Sequence, residues 1–146
     1  MGRREPEEVL DALSALTRSL RAAAAQTYAA FEVGSTQARF LRHIGRHRDT
    51  SQAELARATA SDAALTGRVL AGLIARGWVR RRRSDDDRRQ YRLALSASGE
   101  RARARVEAAR RQVARRMVSA LSDADLDDFE RIARRIRAAF DAPERD

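Results

Sequence analysis

The sequence predicts a mainly α-helical fold with a small β-hairpin wing: a winged helix-turn-helix plus a helical dimerisation lobe. Three observations predict it. Apolar residues recur at steps of three and four along most of the 146-residue chain. Near the middle, two short helical patterns are separated by only about three residues, the spacing of a helix-turn-helix. Directly after them, Gly77-Trp78 opens two strand patterns rich in arginine, joined by a turn of aspartates.

Each element follows from local chemistry. Pro6 suits a first helical turn, and Glu5, Glu7 and Glu8 complement the positive helix end. Val9, Leu10, Leu13, Leu16, Leu20, Ala24, Tyr28 and Phe31 then keep helical spacing over residues 6–31. Gly34 and Ser35 break the chain, and a second helix runs to about His47 with Phe40, Leu41 and Ile44 inward. Ser51-x-x-Glu54 is a capping box that starts a short third helix, which carries Leu55 and ends near Thr59. Ser61 or Asp62 caps a fourth helix that runs to Arg76, where Gly77 is the usual C-terminal stop. Trp78 to Arg83 forms a strand, and Ser84-Asp85-Asp86-Asp87 has turn chemistry. Gln90 to Ser96 alternates Tyr91, Leu93 and Leu95 against Arg92 and Ala94, completing a two-stranded hairpin. A helix from Glu100 to about Ala120 follows, and Ser122-x-x-Asp125 starts a last one carrying Leu126, Phe129, Ile132, Ile136 and Phe140.

The expected organisation is a single domain over 1–146. Residues 35–99 form the winged helix-turn-helix, and 6–31 and 100–140 the dimerisation helices. The first apolar stripe is too long to bury in a small domain, so a partner subunit is its simplest cover. Leu13, Leu16, Leu20, Leu126, Phe129, Ile132, Ile136 and Phe140 would supply much of that interface; the alternative for the same set is an intrachain core.

Aromatic residues make up only 5 % of the chain, so the core must be mostly Leu, Ala, Val and Ile. The net charge is +9, and with no lysine present every basic side chain is arginine, which suits planar, bidentate phosphate and guanine contacts. A GC-rich genome would also favour arginine, but it does not explain where the arginines sit. Between Arg76 and Arg92 stand eight arginines and three aspartates, a local charge of +5. Charge alone does not choose nucleic acid over membrane. A basic hairpin beside a helix-turn-helix points to DNA. The absence of cysteine excludes disulfides, thiol sensing, Cys-ligated zinc and Cys nucleophiles. No apolar run approaches the ~18 residues of a membrane span, and MGRREPEEVLDAL has no apolar signal core. The expected location is the cytoplasm.

Residues 86–99, DDRRQYRLALSASG, resemble the wing of the MarR family of winged helix-turn-helix regulators. Asp87-x-Arg89 and Leu95-Ser96-x-x-Gly99 stand at that family's spacing, and LARATASD, LIARGWV and Gln37 extend the resemblance to about residues 6–140. It implies a homodimeric, sequence-specific regulator of transcription that binds double-stranded DNA at a pseudo-palindrome, a repressor released by a small-molecule effector. Arg89 would enter the minor groove, with Asp87 holding that arginine or the tip turn. Arg81, Arg82, Arg83 and Arg88 would meet phosphates, and Ser51 joins the DNA-binding set. The fourth helix would lie in the major groove with Ala63, Ala64, Leu65, Gly67 and Arg68 outward. Thr66 stands at a usually aliphatic place. It is either inward or rotated outward with Leu65 inward, and is carried as a candidate contact. Arg68 would read a guanine edge or clamp a phosphate.

The resemblance also implies an aromatic or anionic effector between the two lobes. Phe31, Phe40 and His43 are candidate lining, with core packing the alternative for the phenylalanines. His43 and His47 have a spacing that can share a metal, but no third ligand is near. No metal or other cofactor is expected. No Ser-His-Asp order or phosphate loop suggests an enzyme. The alternatives are an architectural, nucleoid-type DNA-binding protein without an effector, or a metal-responsive regulator.

Overall fold

A computed structural model describes residues 5–87 and 89–141. Arg88, one of the candidate wing contacts, lies outside the described residues. The elements are α1 (Pro6–Ala29), α2 (Ser35–Arg46), β1 (Thr50–Ser51), α3 (Gln52–Ala58), α4 (Ala63–Ala75), β2 (Val79–Arg83), β3 (Tyr91–Leu95), α5 (Ala97–Val118) and α6 (Asp123–Asp141). The chain forms two compact units, one up to Arg110 and one from Arg111 onward.

The first unit is built on a core of Phe40, Leu41, Leu55, Leu70, Leu73, Val79, Leu93 and Val106, all fully or almost fully buried. The inward residues expected for α2 are found there, since Phe40, Leu41 and Ile44 are all core members. Local capping sets where the helices begin. Ser51 and Glu54 form the reciprocal capping box of α3: Glu54 N–H donates to Ser51 Oγ at 3.1 Å and Ser51 N–H to Glu54 Oε2 at 2.8 Å. Asp62 Oδ1 accepts from Leu65 N–H at 2.7 Å at the start of α4.

Three helices end in the same left-handed turn. After α4, Gly77 takes φ 71°, and Trp78 N–H reaches back to Leu73 O at 3.0 Å. After α1 and α3 the same role falls to Glu32 (φ 58°) and Ala60 (φ 50°), with Val33 N–H bonded to Tyr28 O and Ser61 N–H to Ala56 O. Side chains are disfavoured in this conformation, so tertiary packing sustains both turns.

The sheet differs from the expected two-stranded hairpin. It has three antiparallel strands in the order β1-β3-β2. Thr50 pairs with Leu93 and Ser51 with Arg92, while Val79 to Arg83 pair with Leu95 to Tyr91. β1 is two residues long, too short for any alternation to reveal it in the sequence.

In the second unit, Ser122 and Asp125 cap α6 reciprocally, with Asp125 N–H on Ser122 Oγ at 3.2 Å and Ser122 N–H on Asp125 Oδ2 at 2.9 Å. No described residue of α6 is buried. Phe129, Ile132, Ile136 and Phe140 are exposed there, as are Val9, Leu10, Leu13 and Leu16 on α1 of the first unit. Among the described residues no helix is long and apolar enough to cross a membrane.

The junction of wing and α5 is closely packed. Ser96 Oγ donates to Gly77 O at 2.5 Å and accepts from Gly99 N–H at 3.0 Å. A Cβ on Gly99 would overlap the carbonyl oxygen of Trp78, which is backbone and cannot swing aside. Gly99→Ala is therefore expected to lower stability by about 1–3 kcal/mol, read as a fall in thermal midpoint, whereas Gly34→Ala, with its nearest side-chain atom 3.8 Å away, should change it far less.

Candidate nucleic-acid interface

The interface candidate starts on α4. Asp62 fixes the first turn, and the helical period then divides the face. Thr66, Leu70 and Leu73 are buried, while Ala63, Ala64 and Arg68 are exposed and Leu65 and Gly67 are half-exposed. This settles the two orientations open for Thr66. It is fully buried, and its hydroxyl donates to Asp62 O at 2.7 Å. Thr66 is thus removed from the candidate contacts, because its one hydroxyl proton is spent on its own helix and its surface is covered. Arg68 is the single charged side chain on the outer face.

The wing carries the arginines on both faces of β2. Arg81 and Arg83 lie on the side of Tyr91, with guanidinium carbons 5.3 and 5.0 Å from its ring centroid. Arg81 also donates to Gln52 Oε1 at 3.4 Å. On the other side Arg82 meets Asp49 Oδ1 at 2.5 Å and Asp85 at 3.7 Å, which raises its pKa above the ordinary arginine value. Arg92 donates to Asp49 O at 3.1 Å. Asp49 itself has φ 60° and lies between the two guanidinium groups.

The tip is built from backbone bonds. Ser84 N–H donates to Gln90 O at 2.9 Å, and Gln90 N–H to Asp87 O at 2.9 Å. Asp87 Oδ1 accepts from the backbone N–H of Arg89 at 2.9 Å. Of the two roles suggested for Asp87, the described bonds show it holding the tip turn, which leaves the exposed Arg89 guanidinium to face outward. Ser51 caps α3 and pairs with Arg92, so both its local bonds belong to the framework.

The three residues suggested for an effector pocket fare differently. Phe40 has no exposed surface and is a core residue, a correction to its candidacy. Phe31 packs edge-on against Tyr28, with centroids 6.2 Å apart, and lies against the same core. His43 is half-buried and stacks on His47 at 4.2 Å, with 17° between the rings.

Hydrogen bonding assigns the histidine tautomers. Thr50 Oγ1 donates its proton to Glu54 Oε2 at 3.3 Å, so it accepts from His43 Nε2–H, also at 3.3 Å. His47 Nδ1 faces His43 O at 3.0 Å and must carry a proton there, since a carbonyl only accepts. Among the described residues no three His, Asp or Glu side chains gather in a way that could hold a metal.

Sequence reasoning missed Asp49 and Gln52, because both act through partners about thirty residues away. It also missed Glu107 of α5, whose carboxylate takes Arg42 Nε at 3.0 Å and Arg46 at 3.8 Å. Burial would raise the Glu107 pKa, but these arginines hold it below the ordinary glutamate value.

A tight helix-turn-helix with an outward second helix, followed by a basic three-stranded sheet, defines a winged helix-turn-helix protein. Residues 32–90 match the family model described as MarR family. Over 93 residues, 64 % of the chain, the sequence is 33 % identical to the transcriptional repressor MprA of Escherichia coli (strain K12). The chain spans about half the length of that relative, 53 %. In structure, a MarR transcriptional regulator from Methanosarcina mazei Go1 matches with a TM-score of 0.78 at 24 % identity, over 92 % of this chain and 95 % of that one. MepR of Staphylococcus aureus, in a complex with DNA, matches with a TM-score of 0.77 at 16 % identity, over 94 % and 99 %. The winged helix-turn-helix of this chain is thus similar to that of the MarR family.

The histidine pair has a consequence for stability. Burial first, and then His47, lower the His43 pKa below 6.5, against an opposing pull from Glu54. The unfolded chain therefore binds this proton more tightly than the folded one. Stability rises with pH through the window at and just below 6.5, and the contribution is lost as pH falls through the folded value. Glu54 and Glu107, both lowered from 4.5, lose their contributions only in the more acidic range. The thermal midpoint should drop between about pH 7.5 and pH 5.5 in the wild type and drop less in His43→Gln; equal slopes would remove His43 as the cause.

Proposed function

We propose that this chain is a sequence-specific, double-stranded-DNA-binding regulator of transcription, acting in the cytoplasm as a homodimeric repressor that a small-molecule effector releases from DNA. The observation that carries the reading is the arginine-loaded wing attached to a helix-turn-helix. On this reading α4 lies in the major groove with Arg68 toward the bases. Arg81, Arg83 and Arg88 neutralise phosphates, Arg82 stays on Asp49 as part of the framework, and Arg89 reaches the minor groove from a tip held by Asp87. An arginine suits that place because a narrow minor groove concentrates negative potential. The chemistry is binding; the reading assigns no catalytic group.

The homodimer is supported by the exposed apolar residues of α1 and α6, including Phe129 at 50 % and Phe140 at 85 % exposure. Surfaces of this kind mark interaction sites. Two copies on a two-fold axis would present their α4 helices about 34–36 Å apart, one DNA turn. The repressor and effector parts draw on the family resemblance and on the MprA relative, itself a transcriptional repressor. A ligand that prefers one arrangement by only ~1–3 kcal/mol weakens DNA binding about 5–150-fold.

One observation favours a second reading. With Thr66 inward, α4 offers a single charged reader beside alanines, a poor base-reading face, as an architectural DNA-binding protein would have. Footprinting separates the two. A discrete two-fold site of ~20 bp fits the regulator, and uniform protection fits the architectural protein.

Arg89→Ala is expected to weaken specific binding and to shrink the dependence of log K on log salt by about one unit; an unchanged slope would count against a contact with DNA. Arg68→Ala should relax preference at one symmetric base-pair position, for about 1–3 kcal/mol. If every sequence weakens equally, Arg68 is a phosphate clamp. Phe129→Asp, at an exposed position, should shift the sedimentation coefficient from dimer to monomer while the fold remains intact.

A further inference from the structure

The position that organises this inference is Gly67, the fifth residue of α4. Glycine inside a helix is disfavoured relative to alanine, so a reason for it is expected. The free chain does not supply one. A Cβ built on Gly67 meets only Gln52 Nε2, at 4.0 Å, an ordinary contact distance. Gly99 is the contrast, because there the fold itself forbids a side chain. The room left open at Gly67, a half-exposed position, is therefore available to something that α4 meets outside the chain.

Gln52 stands over that opening from the first position of α3. Its amide is oriented from the wing. Arg81 donates to Gln52 Oε1 at 3.4 Å. A guanidinium only donates, so it selects the amide oxygen and leaves the NH2 group toward α4. Three elements, α3, α4 and β2, thus converge to present two hydrogen-bond donors at the place where α4 has no side chain of its own.

We propose that Gln52 is a specificity-determining DNA contact: its NH2 group, set by Arg81 and admitted by Gly67, donates to an acceptor on a base edge in the major groove. The proposal rests on the DNA-binding reading above. It also selects the base. Glutamine reads adenine by donating to N7 while its oxygen accepts from N6. Here the oxygen is already engaged by Arg81, so the amide acts as a donor, and the edge that offers two acceptors and no donor is guanine, with N7 and O6, whereas thymine offers O4 alone. A phosphate oxygen would accept the same proton, and the sequence dependence of the loss tells the two apart.

The test is selection from a randomised duplex library with the full chain, followed by binding to the selected site across a salt series. Wild type, Gln52→Ala, Gln52→Glu and Gly67→Ala are compared, with circular dichroism to confirm folding. Gln52→Ala should lose a guanine preference at one base-pair position per half-site and weaken the selected site about tenfold, with the salt slope unchanged. Gln52→Glu, an acceptor, should replace guanine by cytosine at that position. Gly67→Ala should keep or raise the thermal midpoint yet weaken the selected site at least about tenfold. Equal weakening of all sequences by Gln52→Ala would make the contact a phosphate and overturn base reading. Wild-type behaviour of Gln52→Ala or of Gly67→Ala would overturn the proposal outright. A wild-type chain that selects no sequence would instead overturn the regulator reading, and this proposal with it.

Discussion

The winged unit depends on one strand. β3 pairs with β2 along five residues and with β1 along two, and Leu93 at its centre is fully buried. The short β1 pairing matters more than its length suggests. It ties the residue that caps α3 to the middle of the wing, so the start of the helix-turn-helix and the hairpin share one backbone frame. Without it, Gln52 and Arg81 would belong to separate elements. With it, they lie within hydrogen-bond distance, and the histidines at the end of α2 connect through Thr50 to Glu54 of the same cap.

Electrostatics on this frame is divided between holding and reaching. A chain with thirty arginines gains from carboxylates that absorb part of the repulsion. Asp49 takes Arg82 on its carboxylate and Arg92 on its backbone carbonyl, and Glu107 takes Arg42 and Arg46. These pairs are partly solvated, so each contributes modestly to stability. Their larger effect is positional, since they assign some arginines to the framework and leave others, such as Arg68 and Arg89, turned outward. Asp87 does the same with a backbone bond, shaping the tip without occupying the guanidinium.

Much of the fold was legible because its signals are local. Ser51 with Glu54 and Asp62 with Leu65 are caps within one helical turn, and Gly77 marks a stop through its own φ. The ends of α1 and α3 were legible near residues 31 and 59, but their left-handed turns at Glu32 and Ala60 were hidden, because neither residue type signals one. The apolar faces of α2 and α4 followed from helical period. Periodicity did not settle Thr66, where a polar residue sits in an aliphatic place and satisfies its hydroxyl one turn back. Nor did it separate pocket from core, and Phe40 belongs to the core.

The sequence by itself determined the helices, their caps, the basic hairpin and the likeness of the winged unit to a known family. Each of these rests on neighbours in the chain or on charge carried in one short stretch. The tertiary structure alone decided the third strand, the inward turn of Thr66, the burial of Phe40, the capture of Arg82 by Asp49 and the meeting of Gln52, Arg81 and Gly67. These depend on distances between residues far apart in sequence, which no local period encodes. A hydrogen bond or an open space exists only once the elements have been packed.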